Sequence, residues 1–215
     1  MSLQHPLLAA HAHGFGLRDA PAPEGLLRPK QVHGRVVVSA EACRQAPPPE
    51  ADAVLSIEPG LPVGVLTADC VPVLLAAASG GVVAAAHAGW RGLAQGILAQ
   101  SVDAMRRKTA EPLVAVIGPH IGPCCYEVDA PVLDPLREAF GPALDDAVTS
   151  GRPAHAQLDL GQLARHALLH AGLSASRIGE LRAVCTHCDA ERFHSYRRDG
   201  PSAGRLVHHI AARKP

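Results

Sequence analysis

The chain has 215 residues with 20 basic and 20 acidic side chains, and this balance argues against the basic surface of a nucleic-acid-binding protein. Hydrophobic residues make up 47% of the sequence but aromatic residues only 3%, so aliphatic side chains must form the core. The N-terminal segment does not resemble a signal peptide, and no apolar run is long enough to span a membrane. We therefore expect a single cytoplasmic domain over residues 1–215, with its six cysteines reduced.

Taken in chain order, the apolar runs predict strands alternating with helices. Apolar composition at nearly every position is typical of strands that are covered on both faces. Helical spacing predicts a helix over residues 93–108, and a second helix is expected over 158–171, ending at Gly172. The predicted strands are 36–38, 61–67, 71–76, 81–86, 113–117, 181–185 and 205–210. This alternation predicts an α/β fold, a layered sandwich around a mixed and largely buried sheet.

Three short segments each offer one candidate metal ligand at the edge of an apolar run. They are His33 in QVHG, Cys70 in TADC and His87 in HAGWRG. Two imidazoles and one thiolate suit Zn²⁺, and three protein ligands leave a fourth position open for water or substrate. An isolated cysteine in an apolar run is more often a small core residue, so spacing alone does not decide between a site and ordinary packing.

Charged residues beside these segments are candidates for the chemistry. Asp69 precedes Cys70 and is either a general base or a residue that orients the ligand. Arg91, four residues after His87, and Arg197 near the C-terminus could supply cationic contacts to a substrate.

Four other cysteines offer a rival site. Cys124 and Cys125 are adjacent, and Cys185 and Cys188 form a C-x-x-C pair. Four thiolates can hold a structural zinc, but neighbouring residues on an extended chain point to opposite faces. We therefore expect Cys124 or Cys125 to line the pocket beside Tyr126 instead of forming a Cys₄ site.

The segments QVHG, TADCVPVLL, AAHAGWRG, IGPHIGPCCYEV and SYRRDG together resemble the laccase-domain family. Members of that family are variously named multicopper polyphenol oxidases, purine nucleoside phosphorylases and peptidoglycan-editing factors. The resemblance covers roughly residues 11 to 213 and implies that His33, Cys70 and His87 hold a zinc ion. On this basis we expect Cys70, His87, Asp69 and Arg91 to be catalytic, and Arg18, Tyr126 and Arg197 to contact the substrate.

The resemblance implies zinc-dependent phosphorolysis of adenosine, inosine and S-methyl-5′-thioadenosine, with deamination of adenosine also attributed to the family. One alternative is an amidohydrolase that edits peptidoglycan precursors, either metal-dependent or with Cys70 as nucleophile and His87 as base.

A copper oxidase is disfavoured, because a blue-copper site usually has an axial methionine and Met1 and Met105 lie away from the motifs. A non-catalytic binding domain is the remaining alternative. The expected partner is a small molecule, and the expected state a monomer or small homo-oligomer.

The chain departs from the family pattern near its start. Only twelve residues separate Arg18 from Gln31, where family members usually carry a longer segment. His13, Gly14 and Phe15 together with Arg18 look like the remnant of the family's opening strand. The shortening leaves the candidate ligands in place but removes any substrate contact that the missing segment would supply.

Overall fold

The computed structural model describes residues 2–181 and 184–213 of the chain. Helices, a six-stranded sheet and a four-stranded sheet form three successive layers, and a small three-stranded sheet lies beside them. The predicted α/β sandwich around a mixed sheet is therefore confirmed.

The six-stranded sheet lies at the centre of the molecule, in the order β12-β8-β6-β7-β4-β3. Strands β12 and β8 are parallel, as are β3 and β4, whereas the remaining pairs are antiparallel. Its strands in chain order are β3 (Val37–Ser39), β4 (Ala53–Ser56), β6 (Val71–Ala77), β7 (Val83–Ala88), β8 (Leu113–Ile117) and β12 (Ile178–Glu180).

Two further sheets complete the β structure. The four-stranded sheet is antiparallel, with the order β1-β2-β13-β5, and the three-stranded sheet has the order β10-β11-β9. Their strands are β1 (Ser2–Leu3), β2 (His13–Gly16), β5 (Pro62–Thr67), β9 (Glu127–Val128), β10 (Val148–Ser150), β11 (Ala156–Leu158) and β13 (Leu206–Ala211).

The helix predicted over residues 93–108 is in fact two helices. Gly96 interrupts it with a φ of 82°, a left-handed conformation that glycine adopts without steric cost. The α-helices are α1 (Trp90–Ala94), α2 (Ile97–Arg106), α3 (Ala130–Phe140), α4 (Leu160–His170) and α5 (Tyr196–Asp199).

In the C-terminal half, the predicted strands 113–117 and 205–210 and the helix 158–171 are found as β8, β13 and α4, whereas one strand is displaced. Helix α4 begins after Asp159, whose side chain accepts a hydrogen bond from the Gln162 amide, and it is followed by Gly172 with a φ of 88°. The strand predicted over 181–185 is wrong in position, because β12 spans Ile178–Glu180. Residues 182 and 183 lie outside the described part. The β pairing described for Cys185 is an isolated bridge to His120.

Each central strand packs on both of its faces. In β6, Val73 and Leu75 face the helices, whereas Leu74 and Ala76 face the four-stranded sheet. Side chains alternate between the faces of a strand, so a strand between two apolar layers must be apolar at every position. This is why the uniformly apolar runs of the sequence identified β6, β7 and β8.

None of the helices in the described ranges is both long enough and apolar enough to span a membrane.

Candidate metal centre

The three predicted ligands meet at one point. The ligand atoms of His33, Cys70 and His87 all lie within 4.8 Å of one another. Cys70 Sγ is 3.9 Å from His33 Nε2, and the two imidazole rings meet edge to face with centroids 4.8 Å apart. Cys70 immediately precedes β6, His87 lies near the end of β7, and these two strands are hydrogen-bonded neighbours. His33 reaches the same edge from a bend before β3.

Asp52, which the sequence analysis missed, fixes the position of His33. The bend that carries His33 places this residue at a φ of 60°, which is uncommon for a residue with a side chain. The Asp52 carboxylate accepts hydrogen bonds from the backbone amides of Val32 (3.2 Å), His33 (2.9 Å) and Gly34 (2.6 Å). These three bonds offset the cost of the unusual backbone conformation.

The same carboxylate also orients His87. Asp52 Oδ1 lies 2.8 Å from His87 Nδ1, and both side chains are buried. With Nδ1 engaged by Asp52, the other ring nitrogen of His87 is the one available to Cys70 or a metal. Burial opposes the charge on Asp52, but hydrogen bonds from His87 and the Gly34 amide outweigh it and keep the pKa of the carboxyl below its ordinary value. Asp52 therefore stays ionised and couples the two histidines.

Cys70 and His87 form a mutually stabilised charge pair. Burial alone would raise the pKa of the Cys70 thiol, but the charge of His87 and hydrogen bonds from both histidines lower it to about 6. Burial would lower the pKa of His87, but the negative charge of Cys70 and the hydrogen bond to Asp52 raise it to about 9. A thiolate at this position needs a positive neighbour, which is either the His87 proton or a bound cation.

Gly89 lies close to two of the three ligands, Cys70 and His33. A Cβ at this position would lie 3.0 Å from Cys70 Sγ and 3.2 Å from His33 Cδ2. Any larger residue would therefore crowd the ligands themselves. The glycine of HAGWRG keeps the space next to the thiol and the imidazole open.

Asp69 is a buried hydrogen-bond acceptor. Its carboxylate accepts bonds from Thr186 Oγ1 (2.6 Å), Ser195 Oγ (3.0 Å) and the backbone amide of Arg197 (2.6 Å). Its backbone has a φ of 88°, so these bonds hold the residue before Cys70 in an unusual conformation. Of the two roles considered for Asp69, this environment favours positioning over proton transfer.

Tyr126 interacts with both predicted cationic residues and with the Cys70 thiol. The Arg197 guanidinium stacks 4.9 Å from the Tyr126 ring centre. Burial first, and then the negative charge of Cys70, raise the pKa of Tyr126 to about 12, while Arg197 and Arg91 oppose that rise. Tyr126 therefore remains a protonated phenol near neutral pH. Arg91 is exposed on α1, with its guanidinium 4.4 Å from the Trp90 ring centre.

Arg18 has contacts of a different kind. One of its terminal nitrogens donates to the Phe193 carbonyl at 3.1 Å and lies 4.0 Å from Asp199. Its Nε is buried without a hydrogen-bond partner. These contacts connect Arg18 to the segment that follows Arg192, and its contact with a substrate stays a prediction.

The expectation that Cys124 and Cys125 point apart, and so cannot join Cys185 and Cys188, was wrong. The thiols of Cys124, Cys125, Cys185 and Cys188 converge, with their sulfur atoms all within 4.8 Å of one another. Residues 123–125 form a turn, so the rule that adjacent side chains diverge on an extended chain does not apply to them.

Comparisons with known proteins show which proteins this chain resembles. The family model described as "Multi-copper polyphenol oxidoreductase laccase" matches residues 15–213. A purine nucleoside phosphorylase of Xylella fastidiosa (strain 9a5c) is 43% identical over 175 residues, which cover 79% of this chain and 66% of that protein. The adenosine deaminase RL5, from an unknown prokaryotic organism, is 34% identical over 192 residues, or 85% of this chain and 73% of that protein.

A solved structure matches the whole layered arrangement. The crystal structure of YlmD from Geobacillus stearothermophilus superposes with a TM-score of 0.87 at 28% identity, covering 98% of this chain and 94% of that one. The match to the Xylella relative leaves about a third of its length uncovered. With this family model spanning nearly the whole chain, the protein belongs to the laccase-domain family.

Proposed function

We propose that this protein is a zinc-dependent purine nucleoside phosphorylase that acts on adenosine, inosine and S-methyl-5′-thioadenosine. The observation that carries the proposal is the convergence of His33, Cys70 and His87, with Asp52 orienting both histidines. Similar proteins named purine nucleoside phosphorylase support the reaction class.

The donor set fits zinc better than copper. Two imidazole nitrogens and one thiolate are zinc ligands, and a site with three of them leaves a position free. The methionine that a blue-copper site usually adds is not available from Met105, which is fully buried in the core on α2. When bound, zinc would polarise a substrate oxygen and neutralise negative charge.

The surrounding side chains provide the contacts that phosphorolysis requires. In this reaction a phosphate oxygen attacks the ribosyl carbon, and the bond to the purine breaks with its electron pair leaving on the base. Arg91 and Arg197 offer positive charge for the phosphate, because guanidinium groups suit its geometry. Tyr126, as a protonated phenol, can donate a hydrogen bond to the substrate. Asp69 holds the Arg197 backbone and so positions that cation.

In adenosine deamination at the same site, water would attack the purine carbon that bears the amino group, and ammonia would leave. The similarity to a protein named adenosine deaminase supports this as an additional activity. The pairing of Cys70 with His87 supports a further candidate, an amidohydrolase with Cys70 as nucleophile. That enzyme would not require metal and would cleave an amino-acid amide in a peptidoglycan precursor.

Metal analysis combined with a substrate panel tests the proposal. The purified protein should contain zinc and convert adenosine to adenine and ribose 1-phosphate only when phosphate is present. Chelation should abolish this activity, and zinc should restore it. A zinc-loaded protein that leaves purine nucleosides unchanged but hydrolyses the amide of a nucleotide-linked precursor would replace the proposal with the amidohydrolase.

Arg91→Ala provides a sharper test of the phosphate contact. We expect kcat and kcat/KM for phosphorolysis to fall together, as for an interaction made in the transition state, with deamination less affected. Exposed Arg137 on α3, paired with Asp145, provides the matched control. Unchanged phosphorolysis in Arg91→Ala would remove this residue from the phosphate site.

A further inference from the structure

We propose that Cys124, Cys125, Cys185 and Cys188 bind a second zinc ion through four thiolates, and that this ion has a structural role. The site is separate from the first candidate centre, because it shares no ligand with His33, Cys70 and His87.

The sulfur positions fit a tetrahedral site. Zn–S bonds of about 2.3 Å place the sulfur atoms of a tetrahedron about 3.8 Å apart. Cys188 Sγ lies 3.7 Å from Cys124 Sγ and 3.3 Å from Cys125 Sγ, and the whole group fits within 4.8 Å. All four are free thiols, and these separations are well above the S–S bond length of about 2.05 Å.

Two backbone turns bring the pairs of cysteines together. In the first, the Cys125 amide donates to the Gly122 carbonyl at 3.0 Å. In the second, the Asp189 amide donates to the Cys185 carbonyl at 3.1 Å. The Gly122 amide also donates to Cys185 Sγ at 3.2 Å, a contact that stabilises negative charge on sulfur. The backbone turns thus hold the two pairs of cysteines close together without a disulfide bond between the pairs.

A positive charge lies next to the C-x-x-C turn. The Arg198 guanidinium donates to the carbonyls of Thr186 and His187, each at 3.0 Å. These are the two residues between Cys185 and Cys188. The guanidinium is also paired with the Asp199 carboxylate at 2.8 Å, so it anchors the turn between the two cysteines.

The cluster is accessible to a metal from solution. Cys124 and Cys188 are exposed, and they line an open cleft of about 880 Å³ together with Asp159 and Glu191. Exposed thiols held this close without a metal would be prone to oxidation.

A zinc ion here would connect two segments that shape the first centre. Tyr126 follows Cys125 directly, and Thr186, which lies between the other two cysteines, donates to Asp69 beside Cys70. The ion would thus fix the position of Tyr126 relative to Thr186, the hydrogen-bond donor to Asp69. It would take no part in the reaction.

The test uses the Cys70→Ser protein, so that zinc at the first centre does not contribute. The full chain is produced with zinc and purified without chelator, and metal content is measured by elemental analysis. We expect one zinc per chain in Cys70→Ser, and none in Cys70→Ser/Cys188→Ser. Cys70→Ser/Cys43→Ala is the matched control, because Cys43 is buried away from both groups, and it should keep its zinc. X-ray absorption should show sulfur neighbours at about 2.3 Å.

A second measurement uses the unmodified protein, so its result does not depend on whether a variant folds. Iodoacetamide should label Cys124 and Cys188 slowly until chelator is added, and quickly afterwards, as followed by mass spectrometry. Three results would each overturn the proposal: zinc retained in Cys70→Ser/Cys188→Ser, labelling that chelator does not change, or a mass loss showing that the cysteines form disulfides instead.

Discussion

Asp52 is the residue on which the geometry of both histidines depends. Its carboxylate contacts the amides around His33 and the ring of His87 at the same time. Metal-binding histidines commonly have such a carboxylate partner, which sets the ring orientation and the nitrogen that remains free. Asp52 is therefore a positioning residue that acts through the ligands.

Replacing Asp52 with asparagine should weaken metal binding. The amide group cannot accept as many hydrogen bonds and would direct its NH₂ at backbone donors. We expect zinc affinity to fall about 10- to 100-fold, measured by competition with a chromogenic chelator. Glu50→Gln, at an exposed ion pair with Lys30 two residues away, is the control and should bind zinc normally. Unchanged affinity in folded Asp52→Asn would refute the positioning role.

Replacing Cys70 with alanine should remove both metal at the first centre and activity. The thiolate is the only anionic member of His33, Cys70 and His87, and without it two imidazoles remain to hold the cation. Cys43→Ala should change neither property, because Cys43 is buried in the core between the two large sheets and belongs to neither group of candidate ligands. Zinc content and adenosine turnover are measured on both proteins. Retained turnover in Cys70→Ala would exclude the zinc and nucleophile mechanisms together.

At the residue scale, the sequence identifies groups that stand in distinctive motifs and misses groups that do not. His33, Cys70 and His87 were found from QVHG, TADC and HAGWRG. Asp52 lies next to a proline-rich stretch and belongs to no motif. Its one signal was an aspartate at the start of a buried strand, since an ionised carboxylate there must find donors nearby.

The cysteine cluster was misjudged for a different reason. Its adjacent members were assumed to lie on an extended chain, whereas the prolines and glycines over residues 118–123 lead into a turn. Whether distant turns meet depends on the sheet order, which one sequence does not reveal.

At the element scale, prediction succeeds where burial alone determines the pattern. Strands β6 and β8 were located within one residue, because both of their faces are covered. The break at Gly96 between α1 and α2 was missed, since an apolar stripe with helical spacing continues through it. Short elements such as β4 and the β10–β11 hairpin have too few residues to show a period, and they were not predicted.

The contact between the two large sheets gives a prediction at this scale. Gly118 follows β8, and a Cβ there would overlap the fully buried Phe15 ring and lie 2.9 Å from Pro72 Cγ. Because the ring has no space to move into, Gly118→Ala should destabilise the protein by about 1–3 kcal/mol. Urea unfolding measures the loss. Gly81→Ala, whose new Cβ meets only Ser79 Oγ at 3.7 Å, should remain near wild type, and equal stability of the two variants would contradict this packing argument.

At the scale of the whole molecule, the four-stranded sheet contains a buried histidine whose protonation at acid pH should favour unfolding. His208 lies fully buried on its central strand β13, with Nε2 2.8 Å from Thr67 Oγ1. Burial and the charge of neighbouring His209 lower the pKa of His208 to about 3. Burial also lowers the pKa values of His5 and His11. All of these histidines are thus more easily protonated in the unfolded chain.

The sign of the pH dependence follows from His208. Its unfolded pKa is about 6.5, so below that pH the unfolded chain binds a proton that the folded protein does not. The free energy of unfolding should therefore be unaffected by His208 above pH 6.5 and should decrease towards pH 3. The decrease is up to about 1.4 kcal/mol per pH unit.

His208→Gln isolates this contribution, because it removes the buried imidazole and leaves the other histidines and carboxylates in place. Urea unfolding between pH 7 and pH 4 should give a shallower pH dependence for His208→Gln than for wild type, even if its stability at pH 7 is lower. His170→Gln changes an exposed histidine at the end of α4 and should keep the wild-type slope. If the His208→Gln and wild-type curves run parallel, protonation of the buried imidazole does not limit the stability of the protein in acid. Protonation of another group must then cause the decrease.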